Sequence, residues 1–340
     1  MNNNPLILGI ESSCDDTAAA ILQGDQVLSN IISTQKVHKQ YGGVVPELAS
    51  REHQKNIVPV VDIAIKEARI KKNDIDAIAF TKGPGLLGSL LVGTSFAKGF
   101  SISKKIPMIC VNHMKAHILA HFIKDNDKKI TPKFPFICLT VSGGHTQLVK
   151  VNSYYDMQII GTTLDDAAGE AFDKCAKILG LSYPGGYIID QYAKKGNNKS
   201  FQFSKPKVQG LDFSFSGFKT SVLYFINKQI SLDKKFISKN IYDLCASIQY
   251  TIVEILLQKI EKSIKETGIT TIAIAGGVSA NSYLRERLSK LQDQKKYNIF
   301  IPKLEYCTDN AAMIAIAGLY KYKKEEFSLY NESASARLSF

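Results

Sequence analysis

Apolar and polar positions along the chain fall into two successive series of strand-like and helix-like segments. Residues 6–10 (Leu-Ile-Leu-Gly-Ile) form an unbroken apolar run of strand length, and after a polar turn the runs at 17–22 and 26–34 predict two more strands. Between 46 and 71 the period changes: Ile57, Val61 and Ile65 recur every fourth residue, which predicts a helix that Pro59 should kink or restart. A strand at 75–80 leads through Gly-Pro-Gly into an apolar helix at 86–101, and a strand at 106–111 runs into a helix carrying histidines. The polar segment 124–129 then marks a lobe boundary, and the same style begins again. Strands are expected at 136–142, 145–151 and 270–275, and helices at 164–180, 186–195, 240–267, 282–290 and 309–324, with irregular chain at 196–213. This alternation is that of an α/β protein. Its expected division is an N-terminal lobe over 1–127, a C-terminal lobe over 128–325 and a tail over 326–340, with the 309–324 helix free to pack back on the first lobe.

The two halves echo one another. Gly-Ile-Glu-Ser-Ser-Cys-Asp-Asp-Thr (9–17) and Val-Ser-Gly-Gly-His-Thr-Gln-Leu-Val (141–149) are each a small polar turn between two apolar strands. Turns of this composition present backbone N–H groups and hydroxyls to a phosphate. One such turn opening each half suggests a duplicated fold with a nucleotide-like ligand in the cleft, against the plainer reading of two unrelated turns.

Composition narrows the class. The chain has 340 residues, 45% hydrophobic and 22% charged, which suits a globular protein too long for one typical core. No segment approaches the ~20 unbroken apolar residues that span a bilayer. The opening Met-Asn-Asn-Asn-Pro lacks a basic export signal, so a cytoplasmic location is expected. Six scattered cysteines without a C-x-x-C pair fit reduced, packed thiols. The net charge of +12 invites a polyanionic partner, yet only five of the 43 basic residues are arginine, and lysine pairs occur in both halves.

The sharpest local signal is Asn112-His113-Met-Lys-Ala-His117. Two histidines four apart share a helix face, about 6 Å apart along the axis, where both rings reach one metal ion. No glutamate follows the first histidine, which removes the general base of a zinc protease. His121 is a rival partner for His117 but stands about 12 Å of helix from His113. Asp309, at the start of the last helix, either caps that helix or completes a His-His-Asp site.

Gly83-Pro-Gly85-Leu-Leu-Gly88 has the spacing of a dinucleotide-binding turn, but the strand that follows ends in Asn112-His113 with no acidic residue for a ribose. Asp166, Glu170 and Asp173 fall at i, i+4 and i+7, ahead of the tight turn Tyr183-Pro-Gly-Gly186 and Asp190. Carboxylates facing glycine turns suit hydroxyl-bearing ligands; a solvated helix face is the alternative. Ala275-Gly-Gly-Val-Ser-Ala-Asn281 is a strand, a glycine turn and then a helix, where Asn281 either meets a ligand or caps the helix.

Taken in order, these blocks resemble the universal tRNA threonylcarbamoyladenosine synthase family, formerly described as O-sialoglycoprotein endopeptidases. The resemblance spans about residues 6–320 and includes 9–17, Gly-Gly-Val-Val-Pro-Glu-Leu-Ala-Ser-Arg-Glu-His (42–53), His-Met-Lys-Ala-His, Asp-Asp-Ala-Ala-Gly-Glu-Ala-Phe-Asp-Lys and Phe-Ser-Phe-Ser-Gly (213–217), with the first two blocks similar to the bacterial branch. It implies the two-lobed actin, sugar-kinase and Hsp70 fold, two ribonuclease H-like domains with a ligand cleft between them. It implies one metal, Fe(2+) with zinc as the other assignment, on His113, His117 and Asp309. It implies substrate contacts along Thr140, Val141, Ser142, Gly143 and Gly144 and at Asp173, Gly186, Asp190 and Asn281, with Asp16 or His145 handling the proton. The implied reaction moves the threonylcarbamoyl group of threonylcarbamoyl-AMP to N6 of adenosine 37 in tRNAs reading codons that start with A. The implied partners are tRNA and, in bacteria, an inactive paralogue of the same fold and a small ATPase. Asp16 stands where glutamate is frequent in the family and Tyr187 where proline is. A sugar-kinase-like or Hsp70-like ATPase would share the cleft but has no need of the His-x-x-x-His helix.

Overall fold

The computed structural model describes residues 2, 4–124 and 130–340. Two compact units emerge: Met1–Thr131 together with Lys303–Phe340, and Pro132–Pro302. In the first unit, β1 (Leu6–Glu11), β2 (Asp16–Gln23) and β3 (Gln26–Thr34) run antiparallel, and β4 (Ala77–Gly83) and β5 (Met108–Asn112) continue the sheet parallel to β1. The order is β3-β2-β1-β4-β5. Helices α1 (Pro46–Glu67) and α2 (Leu87–Lys104) connect these strands, and the short α3 (His113–Leu119) follows β5. The fourth-residue stripe predicted for 46–71 is the buried face of α1, where Ile57, Val61 and Ile65 join Leu8, Ile10, Ile78 and Phe80 in one core. Pro59 does not restart the helix; α1 is continuous through it.

The second unit repeats the pattern. Its strands β6 (Phe136–Val141), β7 (Thr146–Val151), β8 (Met157–Thr162), β9 (Thr271–Ala275) and β10 (Asn298–Phe300) lie in the order β8-β7-β6-β9-β10. Three antiparallel strands are again followed by two parallel ones, so the echo of polar turns reflects a repeated sheet. The helices here are α4 (Ala168–Ile178), α5 (Gly185–Ala193), α6 (Ser216–Leu232), α7 (Phe236–Thr267) and α8 (Ser282–Lys295). Three elements, β8, β10 and α6, had no counterpart in the sequence pattern. The helix expected from 164 begins only at Ala168, so Asp166 is not on one helical stripe with Glu170 and Asp173. Asp165 accepts the N–H groups of Phe215 and Ser216 and the hydroxyls of Ser214 and Ser216, and so holds the start of α6.

After β10 the chain returns to the first unit at Lys303, which corrects the expected lobe 128–325; the expected boundary at 127 lies outside the described residues. The last helix, α9 (Ala311–Lys323), is buried on nearly every side and packs on the β1 side of the sheet. It sits close because the contact residues are small. A Cβ on Gly9 would stand 2.4 Å from the Ala311 carbonyl oxygen, and one on Gly318 2.4 Å from the Ala79 Cβ. Residues 328–336 also belong here: Ser328 N–H donates to the Met108 carbonyl and Ser335 N–H to that of Lys82. The close approach at Gly9 predicts that Gly9→Ala, though only one methyl larger, destabilises the first unit by about 2 kcal/mol. Chemical denaturation checks this, and an unchanged midpoint would contradict the packing of α9 on β1.

Candidate metal centre and ligand-binding turns

The histidine-bearing helix begins where β5 ends. Asn112 is its N-cap, accepting the N–H groups of Met114 and Lys115, so His113 and His117 stand one turn apart on the inward face of α3. Asp309 reaches them from the start of α9, and the capping alternative is resolved by its neighbour. Asn310 accepts the Met313 N–H and caps that helix, which leaves the Asp309 carboxylate free. Oδ1 of Asp309 lies 3.4 Å from His113 Nε2 and 3.2 Å from His117 Nε2, and the two rings meet edge to face with centroids 4.7 Å apart.

These spacings fit a shared ion. Ligands about 2.1 Å from a tetrahedral centre stand roughly 3.4 Å from one another, and the three donor atoms all lie within 4.8 Å of one another. His121 is not one of this group. Although buried, it follows α3 on the 3-10 turn Ala120–Phe122, so the regular helix that would have stacked it over His117 has ended.

A fourth group completes the arrangement, and it is one that the sequence motifs did not single out. Glu11, fully buried at the end of β1, receives the Thr81 hydroxyl at 2.7 Å and the Ser13 N–H, and its Oε2 lies 3.0 Å from His113 Nδ1. Holding Nδ1 by this carboxylate leaves Nε2, on the Asp309 side, as the nitrogen that would face an ion, the usual role of an outer carboxylate behind a metal-binding histidine. Burial opposes charge throughout the cluster, and mutual attraction overcomes it for three members. Against burial, His113 and its hydrogen bond hold Glu11 below the usual carboxylate range. Glu11 and Asp309 likewise raise His113, and both histidines depress Asp309. His117 goes the other way, lowered by burial, which keeps it neutral and suited to ligation.

Asp16, the first residue of β2, has a buried Oδ1 without a hydrogen-bond partner. Burial, with Asp309, Asp15 and Glu11 nearby, pushes its carboxyl up to about 7 despite a bond from Thr34. The glycines at 83–88 serve packing: a Cβ on Gly85 would stand 2.5 Å from the Ser13 carbonyl, and Leu86 donates its N–H to the same oxygen.

In the second unit, three turns converge at the end of β6. Gly276, at φ 89°, brings the turn after β9 against Val141, where a Cβ would meet the carbonyl oxygen at 2.4 Å. A Cβ on Gly169 of α4 would stand 2.6 Å from the Ser142 carbonyl oxygen and 2.9 Å from Gly143, and Gly169 donates its N–H to the Ser142 carbonyl. Beyond Thr140 and Val141, which are buried in β6, Gly143 and Gly144 are exposed with open space where side chains would be. The His145 N–H donates to Ser142 Oγ and its carbonyl accepts from the Ser142 N–H, which closes the turn. One helical turn beyond Gly169, Asp173 Oδ1 accepts the N–H groups of Gly185 and Gly186. Asp190 Oδ1 accepts from Gln249 and from the Ser282 N–H and hydroxyl, next to Asn281, whose Oδ1 caps α8. The capping role is therefore real for Asn281, and Asp173 has a comparable local duty. Each retains one polar atom for other work, Oδ2 of the aspartate and Nδ2 of the asparagine.

Comparison with known proteins decides the family. The tRNA N6-adenosine threonylcarbamoyltransferase family model matches residues 26–316. A protein of that name from Christiangramia forsetii is 61% identical over 98% of both chains, and one from Riemerella anatipestifer is 58% identical over 98% of this chain and 97% of its own. The chain belongs to the tRNA N6-adenosine threonylcarbamoyltransferase family. Distant structures carry the same fold. HypF of T. kodakarensis superposes with a TM-score of 0.59 at 14% identity, over 94% of this chain and 48% of its own. Component A of the Acidaminococcus fermentans (R)-2-hydroxyglutaryl-CoA dehydratase gives 0.53 at 16%, over 95% and 99%. Among the described residues no helix is long and apolar enough to cross a membrane.

Two predictions follow from the geometry of this transferase family member. Glu11→Ala should weaken metal binding about 10- to 100-fold, measured by competition with a chromogenic chelator; unchanged affinity would make Glu11 a purely structural buried acid. Asp16 has a folded pKa raised above its unfolded value, so it favours the folded state when protonated and loses that contribution as pH rises through about 7. Asp16→Asn should therefore stabilise the protein by about 2 kcal/mol at pH 8.5 and by only about a quarter as much at pH 4.5, allowing for partial solvent screening. Thermal melts at the two pH values check the sign.

Proposed function

We propose that this chain transfers the threonylcarbamoyl group of threonylcarbamoyl-AMP to N6 of adenosine 37 in tRNAs reading codons that start with A, with release of AMP. The observation that carries the reading is 61% identity to a transferase of this name over nearly the whole length, together with a converged His-His-Asp donor set. His113, His117 and Asp309 hold one ion, Fe(2+) or zinc; two imidazoles and a carboxylate suit either. Bound there, the ion supplies Lewis-acid charge and a template for the reacting groups.

The chain's own groups divide the remaining work. The open Gly143–Gly144 turn offers N–H donors of the kind that bind phosphate or a developing oxyanion. Asp173, Asp190 and Asn281 hold the hydroxyl- and amine-bearing parts of the adenylate, and the backbone at Gly186 admits the ligand closely. The N6 amine must lose a proton as it acylates. Asp16, with its carboxyl near pH 7, is suited to take it, and His145 is the second candidate. An inactive paralogue of the same fold and a small ATPase act as partner subunits in this reading.

The test is mass analysis of tRNA nucleosides after depletion of the protein. Threonylcarbamoyladenosine should disappear, return with the wild-type chain, and fail to return with His113→Ala or Asp309→Ala. Undiminished modification after depletion would overturn the proposal.

A further inference from the structure

Most of the chain's net positive charge sits in one stretch. Residues 194–239 carry ten lysines and two aspartates, an excess of eight; the remaining 294 residues carry 33 basic and 29 acidic groups, an excess of four. In the second unit this stretch is a packed patch. Phe201 lies 5.5 Å from Phe225 and 5.7 Å from Phe236, ring centre to ring centre, and Phe203 lies 6.1 Å from Phe218 and 5.6 Å from Phe225. Those contacts clamp the irregular segment 197–207 onto α6 and the start of α7.

Lysines surround the aromatic cluster. Lys199, Lys205, Lys207, Lys228, Lys234 and Lys235 are exposed, and each lies within four residues in sequence of one of its rings. Among the described residues, none of the six has a carboxylate partner. The local acids are engaged: Asp212 accepts the Thr162 N–H at 2.8 Å, and Asp233 pairs with Lys239 at 2.6 Å. Tyr224, four residues before Lys228 on the same face of α6, is 70% exposed. Solvation alone would call for balanced signs; a face where lysines without carboxylate partners outnumber the acids, beside an exposed aromatic, is the pattern of a polyanion site.

We propose that this lysine face of the second unit is where the tRNA backbone docks; the proposal rests on the reading that the chain acts on tRNA. Lysines act as point charges on phosphates and do not read sequence, so the face supplies affinity and orientation. Tyr224 supplies a platform on which an unpaired base can stack.

The test uses the full chain with Lys199, Lys205, Lys207, Lys234 and Lys235 changed to Gln. An equal-charge control changes Lys55, Lys66, Lys71, Lys72 and Lys105, which are exposed on the first unit. Binding of labelled tRNA is followed by fluorescence anisotropy across a salt series, with melting curves confirming that both variants fold. The face variant should bind at least about tenfold more weakly near 0.1 M salt, and its slope of log affinity against log salt should fall by roughly three to four. The control should stay within about twofold, and Lys→Arg at the same five positions should restore binding. Equal loss in both variants would reduce the effect to overall charge and overturn the proposal. Wild-type affinity in the face variant would overturn it too, while leaving the transferase reading intact. Loss of binding to anionic vesicles with tRNA binding kept would assign the face to a membrane surface instead. A wild-type chain that shows no affinity for tRNA would remove the face proposal and the transferase reading together.

Discussion

A wholly buried carboxylate at the end of the central strand of the first sheet sets the constraint on which the metal centre depends. Glu11 is beyond the reach of solvent and is ionised, so the surrounding structure must supply what water would. It does so with a hydroxyl, a backbone N–H and the ring of His113. Satisfying Glu11 in this way also fixes the orientation of His113, whose far nitrogen then faces the Asp309 carboxylate. The requirement extends to the fold. β1 brings Glu11, β4 brings Thr81, β5 and its cap bring α3, and the returning chain brings Asp309 ahead of α9. The small residues at Gly9 and Gly318 let α9 lie close enough to β1 and β4 for that last group to arrive.

The second unit uses the same strand order for a different purpose. Where the first unit ends β1 in a buried acid, the second ends β6 in an open glycine turn, with Gly169 and Gly276 permitting two other segments to crowd against it. Its aspartates and asparagine are held by backbone N–H groups and, for Asp190, by the side chains of Gln249 and Ser282, and so are positioned before any ligand arrives. Pre-organisation of this kind reduces the ordering that binding would otherwise require.

Much of this was legible in the sequence because it rests on local rules. The apolar runs at 6–10 and 136–142, the α1 stripe and the i, i+4 histidines each follow from a period or a spacing, and the paired polar turns pointed to a repeated sheet. What escaped depends on partners far along the chain. Glu11 reads as one residue of a polar turn until Thr81 and His113 are folded against it. Asp165 looked like part of a helix start and instead caps α6, fifty residues on. Whether Asp309 caps α9 turned on Asn310, which takes the cap and leaves Asp309 beside the two histidines. Nor did the periodic pattern show α6, or that the lysines of 194–239 gather on one aromatic cluster.

The proposed function requires a single metal ion bound through two imidazole nitrogens and a carboxylate. X-ray absorption spectroscopy at the edge of the metal carried by the purified protein, alongside elemental analysis, tests this most directly. The account predicts about one ion per chain, a first shell of nitrogen and oxygen near 2.0–2.2 Å, and imidazole scattering that is lost in His113→Ala. A first shell containing sulfur, or stoichiometric metal that remains unchanged in His113→Ala and Asp309→Ala alike, would contradict it.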